Sequence, residues 1–171
     1  MPETIASAKP FVPPLQTFRF RVAFKPEPIG ARGSGKRGGA PEDLCEGAFS
    51  EVTGLEASME VKSIREGGAN NGAHQRAGQI TFSTVVLKRG VTTSRDLWRW
   101  WSLLARGALA HRLTVRITLQ DPAGAPVMTW RLERALPVKF KAADFNARAT
   151  EVGIEELHFV HEGLFPDNEG A

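Results

Sequence analysis

Residues 17–24 alternate strictly, with Phe18, Phe20, Val22 and Phe24 on one side and Arg19 and Arg21 on the other. A period of two with aromatic and β-branched residues on one parity fits a half-buried strand and no helix. The pattern returns at 112–120, where Leu113, Val115, Ile117 and Leu119 point one way and Arg112, Thr114, Arg116, Thr118 and Gln120 the other. Asp121-Pro122-Ala123-Gly124 is turn chemistry, so 127–134 reads as the hairpin partner. Strand-like runs also occupy 47–53, 57–65, 80–87, 137–142 and 150–162. The run at 80–87 is apolar on both parities, which implies cover on both faces. In the last run Val152 and Ile154 share one parity and Leu157 and Phe159 the other, a phase slip at Glu155-Glu156 that predicts a bulge or a strand buried differently at its two ends.

One segment breaks the period. Thr93 and Ser94 offer N-caps, Asp96 suits the positive end, and Leu97, Trp100, Trp101 and Leu104 recur at helical spacing, so a helix is expected over 94–106. Leu97, Trp101 and Leu104 are expected to close the core, with Trp98 and Trp100 left open. The fold class is therefore mainly β: a small antiparallel barrel or sandwich with one inserted helix.

The chain has 171 residues, enough for one domain with a real core. Pro2, Pro10, Pro13 and Pro14 mark 1–16 as an N-terminal arm. The domain itself spans 17–164, followed by a tail at 165–171. Residues 26–44 carry Pro26, Pro28, Pro41 and five glycines, and read as a mobile surface insertion. A second Gly/Asn-rich stretch, 66–78, reads as a loop. No apolar run is long enough for a membrane-spanning helix, and the N-terminus lacks the basic start and apolar stretch of a secretory signal. With a single cysteine, Cys45, no intramolecular disulfide can form, so a protein made in a cytoplasm without a membrane anchor is expected.

The net charge of +3 is unevenly placed. Residues 1–75 balance, 76–148 carry +9, and 149–171 carry −6 with no Lys or Arg. The acidic strand is neutralised by the basic middle either inside one molecule or between copies, where complementary charge fixes register. Glu151, Glu155, Glu156 and Glu162 are the candidates for pairing between copies. Nucleic-acid binding is the rival use of the basic middle; against it, Tyr is absent and most Phe sit on core parity, leaving no stacking platform.

Motifs that would carry chemistry fail on context. Gly30-Ala31-Arg32-Gly33-Ser34-Gly35-Lys36 begins like a phosphate-binding loop, but Arg37 stands where Ser or Thr is needed and neither strand nor helix flanks it. His158 and His161 have opposite strand parity and cannot share a metal; Cys45 has no histidine near it in sequence. No nucleophile with a base, no cofactor site and no metal site is read.

Several phrases are familiar in combination: Phe49-Ser50-Glu51-Val52-Thr53-Gly54-Leu55-Glu56, Arg65-Glu66-Gly67-Gly68, and Val86-Leu87-Lys88-Arg89-Gly90-Val91-Thr92 before a Trp-containing helix. Ala135-Leu136-Pro137-Val138-Lys139-Phe140, Glu151-Val152-Gly153-Ile154-Glu155-Glu156-Leu157 and His161-Glu162-Gly163-Leu164 follow in order. Together they resemble the tail tube proteins of contractile phages and the inner-tube proteins of phage-tail-like contractile injection systems. The resemblance implies a non-catalytic, cofactor-free subunit that forms six-membered rings stacked into a hollow tube. The implied partners are other copies, a surrounding sheath, baseplate or spike proteins, a terminator, and cargo in the lumen. It implies assembly in a bacterial cytoplasm, into a phage tail or a released or anchored particle. It also places a ring-stacking loop at Glu66, Gly67, Gly68, Asn70, Asn71, Gly72 and Gln75. The insertion at 26–44 departs from the family's shorter turn and raises the alternative of a tube-initiating or tube-terminating ring.

Overall fold

The computed structural model describes residues 15, 17–26, 45–47, 49–64, 72–106, 112–148 and 150–167. All of the arm but Leu15, residues 27–44 of the insertion and the whole 66–71 stretch lie outside them. In chain order the strands are β1 (Phe20–Pro26), β2 (Cys45–Gly47), β3 (Glu51–Thr53), β4 (Ala57–Ile64), β5 (His74–Phe82) and β6 (Val85–Gly90). Helix α1 (Asp96–Ala105) precedes β7 (Leu113–Gln120), β8 (Pro126–Lys141), β9 (Ile154–Val160) and β10 (Gly163–Pro166). All strand pairs are antiparallel.

The main sheet runs β2-β1-β7-β8-β9-β6-β3, with β10 also on β8. It folds over on itself at β8, where 127–134 and 137–142, expected as separate strands, are joined in one strand of 16 residues. The N-terminal half pairs β7 and β10; beyond Leu136 the strand pairs β9. Between the halves, β7 advances from Leu113 to Val115 while β8 goes from Ala135 to Leu132, so β8 carries one extra residue. Arg134 sits in this bulge at φ 53°. A bulge bends and twists its strand, which turns the two halves into facing layers. Strands β2 and β3 end the order without pairing each other, so the described strands form a sandwich. β10 runs across the expected domain edge at 164.

Between the layers lie Val22, Phe24, Val115, Ile117 and Leu132 from one side and Val85, Leu87, Leu157 and Phe159 from the other. Helix α1 closes one end. Its Trp100 is buried, edge-on to Phe24 at 5.3 Å and tilted on Phe159 at 6.2 Å. The expectation is thus corrected: Trp100, not Trp101, joins Leu97 in the core, because the two indoles flank Leu97 on opposite sides of the helix and the Phe24 and Phe159 rings lie on the side of Trp100. Arg95 holds the cap position without a side-chain cap bond, and Ser94 Oγ donates to the Asp96 carboxylate. Trp98 is exposed but rests edge-on against Phe140 at 5.5 Å.

The predicted bulge at Glu155-Glu156 is not where the irregularity lies. Val152 and Gly153 precede β9, and within β9 Glu155 shares buried parity with Leu157 and Phe159. The register shift against β9 falls on β8, between Pro137 and Lys139. A charged residue on the core parity imitates a slipped phase.

Candidate interaction surface

β4 and β5 form a sheet of their own, outside the main one. The hairpin leaves the body through Gly54 at φ +86°, where an added Cβ would meet Thr84 O at 2.1 Å, so only glycine makes this exit. Its root is fastened by Ser83 N–H to Glu56 O at 3.2 Å and by Ser58 Oγ with Thr81 Oγ1 at 2.9 Å. Beyond the root every residue of β4 is exposed.

Register pairs place Ala57 opposite Phe82, Met59 opposite Ile80 and Val61 opposite Ala77. Between the last two pairs β5 has one extra residue, a bulge beside Gly78, whose missing Cβ leaves room for Glu60 O. The bulge keeps both apolar pairs on one face. Ser58, Lys62 and Ile64 pair with Thr81, Arg76 and His74 on the other. The apolar face is open: Met59, Val61 and Ile80 are 50%, 58% and 50% exposed. A two-stranded hairpin is marginal alone, and a contiguous apolar strip in water marks a contact surface. The alternation at 57–61 signalled this face in the sequence, but not that it would be left uncovered.

Of the expected stacking-loop residues, Gly72 is exposed just before β5 and Gln75 lies within β5, opposite Ser63. Glu66, Gly67, Gly68, Asn70 and Asn71 lie outside the described residues. The expected loop at 66–78 is shortened, since the strand begins at His74; with no buried face, its alternation is weak.

The acidic C-terminal strand meets the basic middle within the chain. Glu155 is buried and accepts from Arg89 Nε, and Arg89 also lies over the Phe49 ring at 5.7 Å. Glu162 accepts from Arg134 Nε at 2.6 Å and from Arg112. Glu156 lies 3.3 Å from His158 Nε2 and 3.9 Å from Lys141 Nζ, and Asp167 lies 3.0 Å from Arg116. Three of the four carboxylates expected between copies therefore have partners in their own chain, and Glu155 presents nothing to a neighbour; Glu151 is exposed.

His161 is buried against Phe82, ring centroids 5.0 Å apart, and its Nδ1–H donates to Gly163 O at 2.9 Å. Burial lowers its pKa below the ordinary 6.5, partly offset by the bond to Gly163. Since Phe82 ends β5, this histidine braces the hairpin root. Among the described residues no group of three His, Cys, Asp or Glu could hold a metal, and no helix is long and apolar enough to cross a membrane. Cys45 lies on β2, opposite Phe24, and the glycine-rich 30–36 run is outside the described residues.

The model of the T4-like virus tail tube protein gp19 family matches residues 16–165. The chain belongs to this family. Among solved structures it is similar to a chain of the anti-feeding prophage (AFP) baseplate, with 27% identity, 94% of this chain and 100% of that chain covered, and a TM-score of 0.75. A chain of the sheath–tube complex of an extracellular contractile injection system (PVC) in the extended state shows 20% identity, coverage of 90% and 91%, and a TM-score of 0.72. A chain of the PVC sheath/tube terminator shows 20% identity, coverage of 91% and 98%, and a TM-score of 0.73. The last two likenesses concern the fold. No curated protein matches the chain.

Proposed function

We propose that the chain is a non-catalytic building block that closes into six-membered rings and stacks them as the inner tube of a contractile tail or injection particle. The observation that carries this reading is the apolar face of the β4–β5 hairpin, which stays exposed among the described residues. A closed ring repeats one heterologous contact at every interface, so a small strip per subunit sums to a cooperative assembly. The segment that connects β4 to β5, with Asn70 and Asn71, is the proposed contact with the next ring, and exposed Glu151 is the proposed partner for basic residues of a neighbour. The sheath, baseplate and terminator contexts of the structural neighbours support such partners here; cargo in the lumen and assembly in a bacterial cytoplasm belong to the same proposal. A specialised end ring is the second reading, favoured by the 27% identity to a baseplate chain.

Negative-stain electron microscopy tests the proposal. Wild-type protein should give rings or tubes, and the double variant Met59→Lys/Ile80→Glu should give folded monomers. If the variant assembles as well as wild type, the hairpin face is not the contact.

A further inference from the structure

The core face of the β1–β7–β8 layer continues past the point where the core covers it. Val22, Ile117 and Leu132 are buried, but on the next rung Phe20 lies opposite Leu119 and Leu119 opposite Met128, all partly exposed. With Trp130, and with Val52 and Leu55 facing them from β3 and its following turn, they wall a cleft of 390 Å³. Thr17, where the N-terminal arm enters the fold, is also on that wall.

We propose that this cleft seats the chain's own Pro10-Phe11-Val12-Pro13-Pro14 segment. Reach comes first. Pro14 precedes Thr17 by three residues, so at ~3.6 Å per residue it lies within about 11 Å of the wall. Chemistry comes second. The segment contains Pro-x-x-Pro, a pattern predisposed to the polyproline II helix, which docks in aromatic-lined grooves at low ordering cost. Its three prolines bring no backbone N–H into an apolar cleft, so little polar desolvation opposes seating. The gain comes third. Phe11 and Val12 would leave water together with the half-covered Phe20, Leu119, Met128 and Trp130, completing the core at its open end. This inference is independent of the assembly reading and is tested on unassembled protein.

In the monomeric Met59→Lys/Ile80→Glu background, the full-length chain with and without Phe11→Asp is compared by melting temperature and by the Trp130 indole resonance in ¹⁵N NMR, assigned with Trp130→Phe. Seating predicts that Phe11→Asp moves this resonance and lowers the melting temperature by about 3–6 °C, with a smaller fall for Pro10→Gly/Pro13→Gly. Met128→Lys, at the exposed rim, should make a further Phe11→Asp change nearly silent, because coupled residues are not additive. A peptide of residues 8–16 added to the Phe11→Asp chain should return the resonance toward its wild-type position. An unmoved resonance with an unchanged melting temperature overturns the proposal. So does an effect that appears only as protein concentration rises, which would assign the cleft to the arm of a second copy.

Discussion

The sandwich body and the β4–β5 hairpin are made from the same kind of sequence, yet they end in opposite environments. In the body, Val22 on β1 stands opposite Ile117 on β7, and both are buried between layers. In the hairpin, Met59 stands opposite Ile80 in the same antiparallel geometry, and both are half exposed. Local pairing is equivalent; what differs is whether a second layer of the same chain arrives to cover the face. Alternation thus specifies a face to be buried without specifying by what.

The contrast can be broken most forcefully in the body. Val22→Lys/Ile117→Glu puts two charges into the core, at several kcal/mol per ion after relaxation. Against a total stability of ~5–15 kcal/mol, this should leave the chain unfolded, read as loss of the cooperative thermal transition by circular dichroism. A folded double variant would show that the β1–β7 face is not the core.

Next in size is the Arg89–Glu155 pair, in which both charged residues are buried. Arg89→Ala strands a buried carboxylate and should cost about 3–5 kcal/mol. Arg89→Met/Glu155→Leu removes both charges and should recover most of that loss in chemical denaturation. If the single and double variants are equally unstable, packing rather than charge explains the site.

Where the hairpin joins the body, His161 introduces a pH dependence. Its folded pKa lies below 6.5, the ordinary value that the unfolded chain retains, so the folded state binds fewer protons in between. Its neutral-form advantage is intact above pH 6.5, is lost as pH falls below it, and levels off once pH passes below the folded value. Melting temperatures from pH 7.5 downward should fall more steeply for wild type than for His161→Gln. Parallel curves would remove His161 from the root.

Much of this was legible in the sequence, and what was missed has a physical cause. The strands at 17–24 and 112–120 declared themselves because one parity is apolar and the other charged. The helix was legible but its inward face was not, since Trp100 and Trp101 flank Leu97 on opposite sides and the rings that select between them, Phe24 and Phe159, are distant in sequence. The break at Arg134 read as a gap between strands because a bulge, like a turn, interrupts alternation. Glu155 read as a phase slip because its partner, Arg89, is 66 residues away in sequence, beyond any local pattern. The intramolecular pairing of Glu156 and Glu162 was open for the same reason. The hairpin's exposure was hidden most completely, since covering a face is a property of the whole fold.

The smallest expected effect is therefore the most informative. Met59→Lys/Ile80→Glu makes the same chemical change as the core-breaking pair, at cross-strand neighbours on the hairpin. Opposite charges directly across an antiparallel pair attract modestly, by roughly 0.2–1 kcal/mol. Removing a half-exposed Met and Ile loses a comparable amount of partial burial, so the two terms offset and the monomer should melt within about 2 °C of wild type. The identical substitution pattern would then abolish folding at 22 and 117 and leave it untouched at 59 and 80. A drop of ten degrees at the hairpin would instead mean that its apolar face is covered within the free subunit, and that no neighbour is needed to explain it.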